Sequence, residues 1–135
     1  MQFPLKYIFY VEVLVNILVS LLALLLPAAF CNLLFGISFE ITHFGINLSY
    51  WYAVLLIVIT YIMLKSLLTE NLKAMLIVLE AYLLGDILQL LVIFIRLPFG
   101  LPLNIGILFT VVFTIFLLII RIMVILKPHL LGFKG

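Results

Sequence analysis

Charged residues are scarce in this chain, and their scarcity excludes most soluble folds. Only 9% of its 135 residues are Asp, Glu, Lys or Arg, whereas 69% are hydrophobic. The mean hydropathy is +1.54. A soluble domain carries about 25% charged residues because polar side chains must cover its surface. Since too little polar surface is present here, we expect lipid to surround most of the chain.

Other absences exclude whole functional classes. Cys31 is the only cysteine, which excludes an internal disulfide and a cysteine-based metal cluster. The net charge of +2 and the lack of a basic run argue against nucleic acid as a partner. No serine elbow, phosphate-binding loop or His-Glu-His cluster is present. His43 and His129 are predicted on opposite sides of the membrane, so they cannot share a metal or haem. The sequence therefore names no cofactor and no reaction.

Four apolar segments are each long enough to span a bilayer, which takes about 20 helical residues. Prolines lie at their boundaries, where the missing amide donor suits a helix end. Two of the connections are short, which makes neighbouring helices antiparallel. We therefore predict one all-α membrane domain, an antiparallel bundle of four transmembrane helices. The predicted helices cover residues 5–26, 51–68, 72–95 and 102–126.

The first apolar segment also has features of a secretory signal, because Lys6 precedes it and Pro27 follows it. A signal peptide has an apolar stretch of about 7–15 residues, and this segment is longer. It also contains Glu12 and Asn16, which a cleaved segment has no reason to keep. We interpret it as a retained first helix.

Basic residues predict the orientation, because Lys and Arg near a span stay in the cytoplasm. Arg96 lies on one predicted side of the membrane, and the other six basic residues lie on the opposite side. Those six are Lys6, Lys65, Lys73, Arg121, Lys127 and Lys134. This bias predicts that both termini are cytoplasmic. Because no eukaryotic targeting signal is present, we expect a prokaryotic cytoplasmic membrane.

The predicted external segment, residues 28–50, contains a pattern of its own. Apolar and polar residues alternate over 37–42 and again over 44–49, with a break near His43. This period of two indicates strands with one wet face, and so a small β-hairpin. The alternative is an interfacial helix, because Ile37, Ile41, Phe44 and Leu48 also share a helical face.

Polar side chains recur at helical spacing inside three of the predicted spans, where each is costly and needs an explanation. They either bind a ligand, proton or cation, or form interhelical hydrogen bonds that set the helix register. Glu12 and Arg121 are predicted at similar depths in the membrane, which favours an ion pair between them. No basic residue is predicted at the depth of Asp86, so we expect it to have no basic partner. The candidate binding residues are Glu12, Asn16, Glu80, Tyr82, Asp86, Gln89, Thr110, Thr114 and Arg121. Glu80 lies off the shared stripe, where it could face a partner subunit.

Several short apolar motifs resemble those of the DoxX-like small four-helix membrane proteins and related short bacterial membrane proteins of unknown function. The motifs are Leu24-Leu25-Leu26-Pro27-Ala28-Ala29-Phe30, then Leu33-Leu34-Phe35-Gly36, then Tyr52 in helix two and Leu83-Leu84-Gly85 in helix three. Relatives often have arginine before the helix-two tyrosine and after the helix-three glycine. This chain has Trp51 and Asp86 there instead. The resemblance implies a four-helix fold and an accessory role, but no particular activity.

Three functional hypotheses remain open. The first is a non-catalytic protein, either an accessory subunit or a binder of a lipid-like or quinone-like molecule within the bundle. The second is a small proton-coupled exporter that uses Glu12. The third is a membrane enzyme acting on an isoprenoid or sterol, with Glu80 and Asp86 as proton donors inside a closed apolar cavity. The expected partners are the lipid bilayer and a membrane protein or a second copy of the chain.

Overall fold

The computed structural model describes residues 3–35, 42–101 and 103–134, and within these ranges all regular structure is helical. The α-helices are α1 (Lys6–Leu25), α2 (Pro27–Phe35), α3 (His43–Leu68), α4 (Leu72–Arg96) and α5 (Ile105–Leu126). Short 3-10 turns follow α4 and α5, at Leu97–Phe99 and Pro128–Leu131. Helices α1, α3, α4 and α5 are long and apolar enough to cross a membrane. The prediction of four apolar spans in an integral membrane protein is therefore confirmed.

The second predicted helix begins earlier than expected, and the second strand of the predicted β-hairpin is wrong. Residues from His43 onward form the first turns of α3, continuous with its membrane span. Thr42 is the N-cap, and its hydroxyl accepts a hydrogen bond from the Gly45 amide at 3.2 Å. An alternation of only six residues cannot be distinguished from one helical face, since Phe44 and Leu48 lie one turn apart. Of the first predicted strand, residues 37–42, all but Thr42 lie outside the described residues.

Helix α2 packs closely against the start of α5. Asn104 is the N-cap of α5, where its side chain accepts a hydrogen bond from the Ile107 amide at 2.9 Å. The same side chain donates to the carbonyl oxygen of Asn32 in α2 at 3.4 Å. A Cβ atom at Gly106 would lie 2.5 Å from the carbonyl oxygen of Leu33. Glycine at this position therefore allows the backbones of α2 and α5 to touch.

The N-terminal and C-terminal segments meet at the opposite end of the helices. The Leu5 amide donates to the carbonyl oxygen of Leu130 at 2.9 Å. Lys6 Nζ donates to a carboxylate oxygen of Glu70 at 2.7 Å, and the Lys134 amide donates to its other oxygen at 3.2 Å. These two hydrogen bonds, that from Lys6 above all, lower the pKa of the Glu70 carboxyl because they stabilise its ionised form. Glu70, which follows α3, therefore ties together both ends of the chain.

Buried apolar side chains form two clusters along the helices. The first lies at the end where the termini meet and draws on all four long helices and the last turn. It contains Phe9, Val13, Met63, Leu67, Met75, Val78, Leu79, Val124 and Leu131. The second joins α1, α2 and α3 near the other end, through Ala23, Phe30, Cys31 and Ala53. There the Ser49 hydroxyl donates to the carbonyl oxygen of Ala23 at 2.8 Å.

Helix α4 contributes to the first cluster and not to the second, as far as the described residues show. Three of its four buried side chains, Met75, Val78 and Leu79, lie in its first eight residues. Beyond them, most of the side chains of α4 are exposed in the isolated chain. The buried apolar side chains of α4 are thus concentrated at one end of the helix.

Substitutions of two helical glycines are expected to change stability in opposite directions. Gly106→Ala should lower the free energy of unfolding by about 1–3 kcal/mol, because the new methyl group collides with the Leu33 carbonyl. Gly85→Ala is the matched control, since nothing lies within 4 Å of its added Cβ. It should raise stability by about 0.5–1 kcal/mol through helix propensity. Unfolding in mixed detergent micelles measures both. Equal effects of the two substitutions would contradict the close contact between α2 and α5.

Candidate functional site

A cavity of about 820 Å³ lies among the helices, lined by residues of α1, α2, α3, α4 and α5. Small-molecule sites in proteins have volumes of about 300–1,000 Å³, and this one falls within that range. Most of its wall is apolar, with the aromatic rings of Phe30, Phe109 and Phe113 among the lining groups. The polar residues that line it are Glu12, Asn16, Tyr52, Tyr82, Asp86, Gln89, Thr110 and Thr114. The cavity therefore combines a hydrocarbon-like wall with a few hydrogen-bonding groups.

Most of the residues singled out from the sequence meet at this cavity. Seven of the nine candidates line it: Glu12, Asn16, Tyr82, Asp86, Gln89, Thr110 and Thr114. Arg121 is fully buried and contacts two of these side chains without lining the cavity itself. Glu80 is exposed on α4 and does not line the cavity. The polar stripes predicted on three helices thus converge, and Glu80 points away from them.

An arginine contacts two carboxylates at the centre of the site. The Arg121 guanidinium on α5 forms an ion pair with Glu12 on α1, which confirms the predicted pair. It also forms an ion pair with Asp86 on α4. The expectation that Asp86 lacks a basic partner is therefore wrong. The depth of a residue in the membrane, counted in residues from the end of its helix, takes no account of helix tilt or of the length of the arginine side chain.

Burial makes this charged centre energetically demanding. The side chain of Arg121 is 0% exposed and that of Glu12 is 3% exposed. A charge at this depth costs at least a few kcal/mol when unpaired, so each group depends on the other. The Tyr82 ring lies 5.0 Å from Arg121 Cζ, a distance at which the ring face attracts the cation. Three helices are thereby held together by one guanidinium group.

Some hydrogen-bonding capacity at the centre remains free. Oε2 of Glu12 is buried and has no hydrogen-bond partner among the described residues. The side chain of Asp86 is 12% exposed and lines the cavity, so it remains accessible from inside. By contrast, the Thr110 hydroxyl donates to the carbonyl oxygen of Gly106 in its own helix at 2.8 Å. The carboxylates of Glu12 and Asp86 are thus the groups best placed to meet a bound molecule.

The cavity reaches the surface of the bundle between α3 and α4. Leu55 and Ile59 on α3, and Ile77 on α4, line the cavity and are also at least two-fifths exposed. Gly85 on α4 adds no side chain to this opening, and nothing lies within 4 Å of its position for a Cβ. Both of these helices are candidate membrane spans.

A second cavity of about 490 Å³ adjoins the first. Gln89, Thr110 and Leu34 line both cavities. The wall of the second is otherwise apolar except for Arg96, in the last turn of α4. The two cavities therefore extend from the Glu12–Arg121–Asp86 centre toward the end of α4.

The sequence did not single out the aromatic and aliphatic wall of the cavity. Tyr52 lines the cavity, and its ring packs 5.0 Å from that of Phe30. No sequence pattern indicates a role for Phe109 and Phe113, whose rings stack 5.5 Å apart. In helices that are apolar on every side, periodicity cannot separate a cavity wall from a lipid-facing surface. Only the placement of the neighbouring helices makes that distinction.

Comparisons with known proteins identified no relative of this chain. No family model matches it, and no similar curated protein or solved structure was found. The resemblance to DoxX-like proteins therefore stays a prediction.

Removing the shared arginine is expected to destabilise the protein strongly. Arg121→Gln leaves two carboxylates in a buried site without their cation, which should cost about 3–5 kcal/mol of unfolding free energy. The triple variant Glu12→Gln, Asp86→Asn, Arg121→Gln contains no charge at the centre, and it should recover most of that loss. Unfolding in mixed micelles measures the difference. A triple variant no more stable than the single one would contradict mutual neutralisation.

Proposed function

We propose that this protein is a non-catalytic membrane protein that binds a lipid-like or quinone-like molecule between its helices. The observation that carries the proposal is the cavity of about 820 Å³, which has a mostly apolar wall and is also lined by the carboxylates of Glu12 and Asp86. The head group of the ligand lies against Glu12 and Asp86, and its apolar part lies along the wall of the cavity. Free oxygen atoms fix the orientation of the head group, while burial of the apolar part supplies most of the affinity.

The position of the opening supports a ligand that is dissolved in the membrane. Leu55 and Ile59 on one side, and Ile77 on the other, leave an apolar entrance between α3 and α4. A molecule that arrives from the bilayer keeps its hydrocarbon part in an apolar environment throughout. A water-soluble ligand would have to cross lipid before reaching the same entrance.

An accessory role is compatible with this site, and Glu80 supports it. Glu80 is exposed on a membrane-spanning helix and forms no ion pair with the described residues. A carboxylate that faces lipid costs a few kcal/mol, and polar contact with another helix reduces this cost. We therefore propose that α4 contacts a second membrane-spanning chain, or another copy of this one, at Glu80.

A small proton-coupled exporter is the second candidate function. The observation that favours it is the buried oxygen of Glu12 without a hydrogen-bond partner among the described residues, on a side chain that lines the cavity. An exporter differs from a binder because it moves its ligand across a vesicle membrane, and Glu12→Gln then abolishes ligand-dependent proton flux. The enzyme hypothesis receives no such support, since it requires Glu80 and Asp86 in one cavity and Glu80 does not line it.

For the topology, we propose an antiparallel bundle in a prokaryotic cytoplasmic membrane, with both termini in the cytoplasm. The hydrogen bond between the Leu5 amide and the Leu130 carbonyl supports two ends on one side. The contact of Lys6 with Glu70 and that of Ala23 with Ser49 support opposite directions for α1 and α3. The bias of six basic residues to one supports the cytoplasm as the shared side.

Reporter fusions test this orientation. A fluorescent protein fused after Lys134 should fold in the cytoplasm and fluoresce, and alkaline phosphatase fused there should be inactive. Fusions after Gly100, between α4 and α5, are the control and should give the reverse result. Active phosphatase at Lys134 together with inactive phosphatase at Gly100 would show that the orientation is the reverse of the one proposed.

Filling the cavity entrance is expected to remove the bound molecule. Gly85→Leu places a side chain in open space beside the centre, so the helix should tolerate it while ligand volume is lost. Leu84→Phe is the matched control, because Leu84 is 59% exposed and does not line the cavity. Native mass spectrometry from nanodiscs should show a bound amphiphile in the wild type and in Leu84→Phe, and at least about tenfold lower occupancy in Gly85→Leu.

Two outcomes would contradict the proposal. One is a wild-type protein that carries no small molecule after gentle purification. The other is equal occupancy in Gly85→Leu and in the wild type, which would place the bound molecule outside this cavity.

A further inference from the structure

The charges around the cavity do not balance. Glu12 and Asp86 contribute two carboxylates, and Arg121 contributes one guanidinium. The other titratable groups that line the cavity are Tyr82 on α4 and Tyr52 on α3, and no described lining residue is basic. Arg96 lines only the second cavity. When both carboxylates are ionised, the centre therefore has one negative charge in excess.

An excess charge in this environment needs a neutralising partner. One carboxylate charge buried in the membrane interior costs several kcal/mol when nothing compensates it. Glu12 is 3% exposed and lines the same cavity as Asp86, and its Oε2 atom has no hydrogen-bond partner among the described residues. A proton on either carboxyl group removes the excess, and so does a cation bound beside them. The two solutions exclude each other, because together they would leave the centre positively charged.

We propose that this centre holds one proton when the cavity is empty, and exchanges it for the cationic head group of an amphiphile. The inference rests on the proposed ligand-binding function and narrows the ligand to a class: an amphiphile with one ammonium group. On binding, the O–H bond of the protonated carboxyl group breaks and the proton passes to bulk water. The ammonium then pairs with the carboxylate that is left, and the total charge of the centre stays the same.

The size and shape of the cavity suit this class. Glu12 and Asp86 are its only acidic lining residues, whereas most of its wall is apolar and includes Phe109 and Phe113. Aromatic faces also attract ammonium groups, which favours their passage along the wall. A neutral amphiphile of the same size fits the same wall, but it has no reason to displace the proton.

A pair of amphiphiles with matched shape tests the exchange. Decyltrimethylammonium has a permanent positive charge, and decyldimethylamine N-oxide has no net charge at neutral pH. Calorimetric titration into protein-containing nanodiscs, corrected by empty nanodiscs, is run in two buffers of different ionisation enthalpy, so that the heat reports proton release. The ammonium should release close to one proton per molecule bound, and the N-oxide none. Ammonium affinity should rise by up to about tenfold per pH unit, because the proton competes with it.

Two variants identify the groups responsible. Asp86→Asn removes the excess charge, so proton release on ammonium binding should disappear. Leu84→Phe is the control on the same helix, because Leu84 is exposed and lies outside the cavity, and it should retain wild-type proton release. If Asp86→Asn fails to fold, the buffer comparison on the wild-type protein alone still decides the question.

The outcomes separate the two proposals. If both amphiphiles bind and Gly85→Leu weakens both, but neither releases a proton, then this inference is wrong and the proposed function stands. If neither amphiphile binds to the wild type, both proposals are wrong. Proton release that is the same in Asp86→Asn and in the wild type would also overturn the inference.

Discussion

The pairing of one guanidinium with two carboxylates is the constraint on which the arrangement of the helices depends. Arg121 is fully buried and cannot reach water, and α1 and α4 each place a carboxyl group beside it. Apolar packing alone does little to fix helix positions in lipid. A leucine side chain is in an equally apolar environment whether it contacts a neighbouring helix or the lipid tails. The charged centre removes that freedom. It sets the rotation and the register of three helices at once.

The cavity follows from how the remaining contacts are distributed. One end of the bundle is tightly packed around Phe9, Met63 and Leu79, and it is closed by the contacts of the chain termini with Glu70. At the other end α2 fills the space beside α5, where Gly106 allows close approach. Helix α4 buries few side chains beyond its first eight residues. The gap beside it, with Gly85 as one of its lining residues, opens from the charged centre toward lipid.

Parts of this arrangement were accessible from the sequence. The four spans, the ion pair between Glu12 and Arg121, and the position of Glu80 off the shared stripe all follow from residue spacing and the cost of charge in lipid. The start of α3 did not follow, because a six-residue alternation fits a strand and a helical face equally well. Nor did the contact of Asp86 with Arg121, since depth counted along each helix ignores tilt and side-chain reach.

By itself, the sequence determined that the protein lies in a membrane, how many helices are apolar enough to cross it, and which polar side chains need partners there. These properties depend on composition and on spacing along one helix, which are local. The tertiary structure alone decided that Asp86 shares the arginine, that Tyr52 and Phe109 line a cavity, and that exposed residues of α3 and α4 line it too. Such properties depend on the position of one helix relative to another, and a uniformly apolar helix surface does not encode that position in its own periodicity.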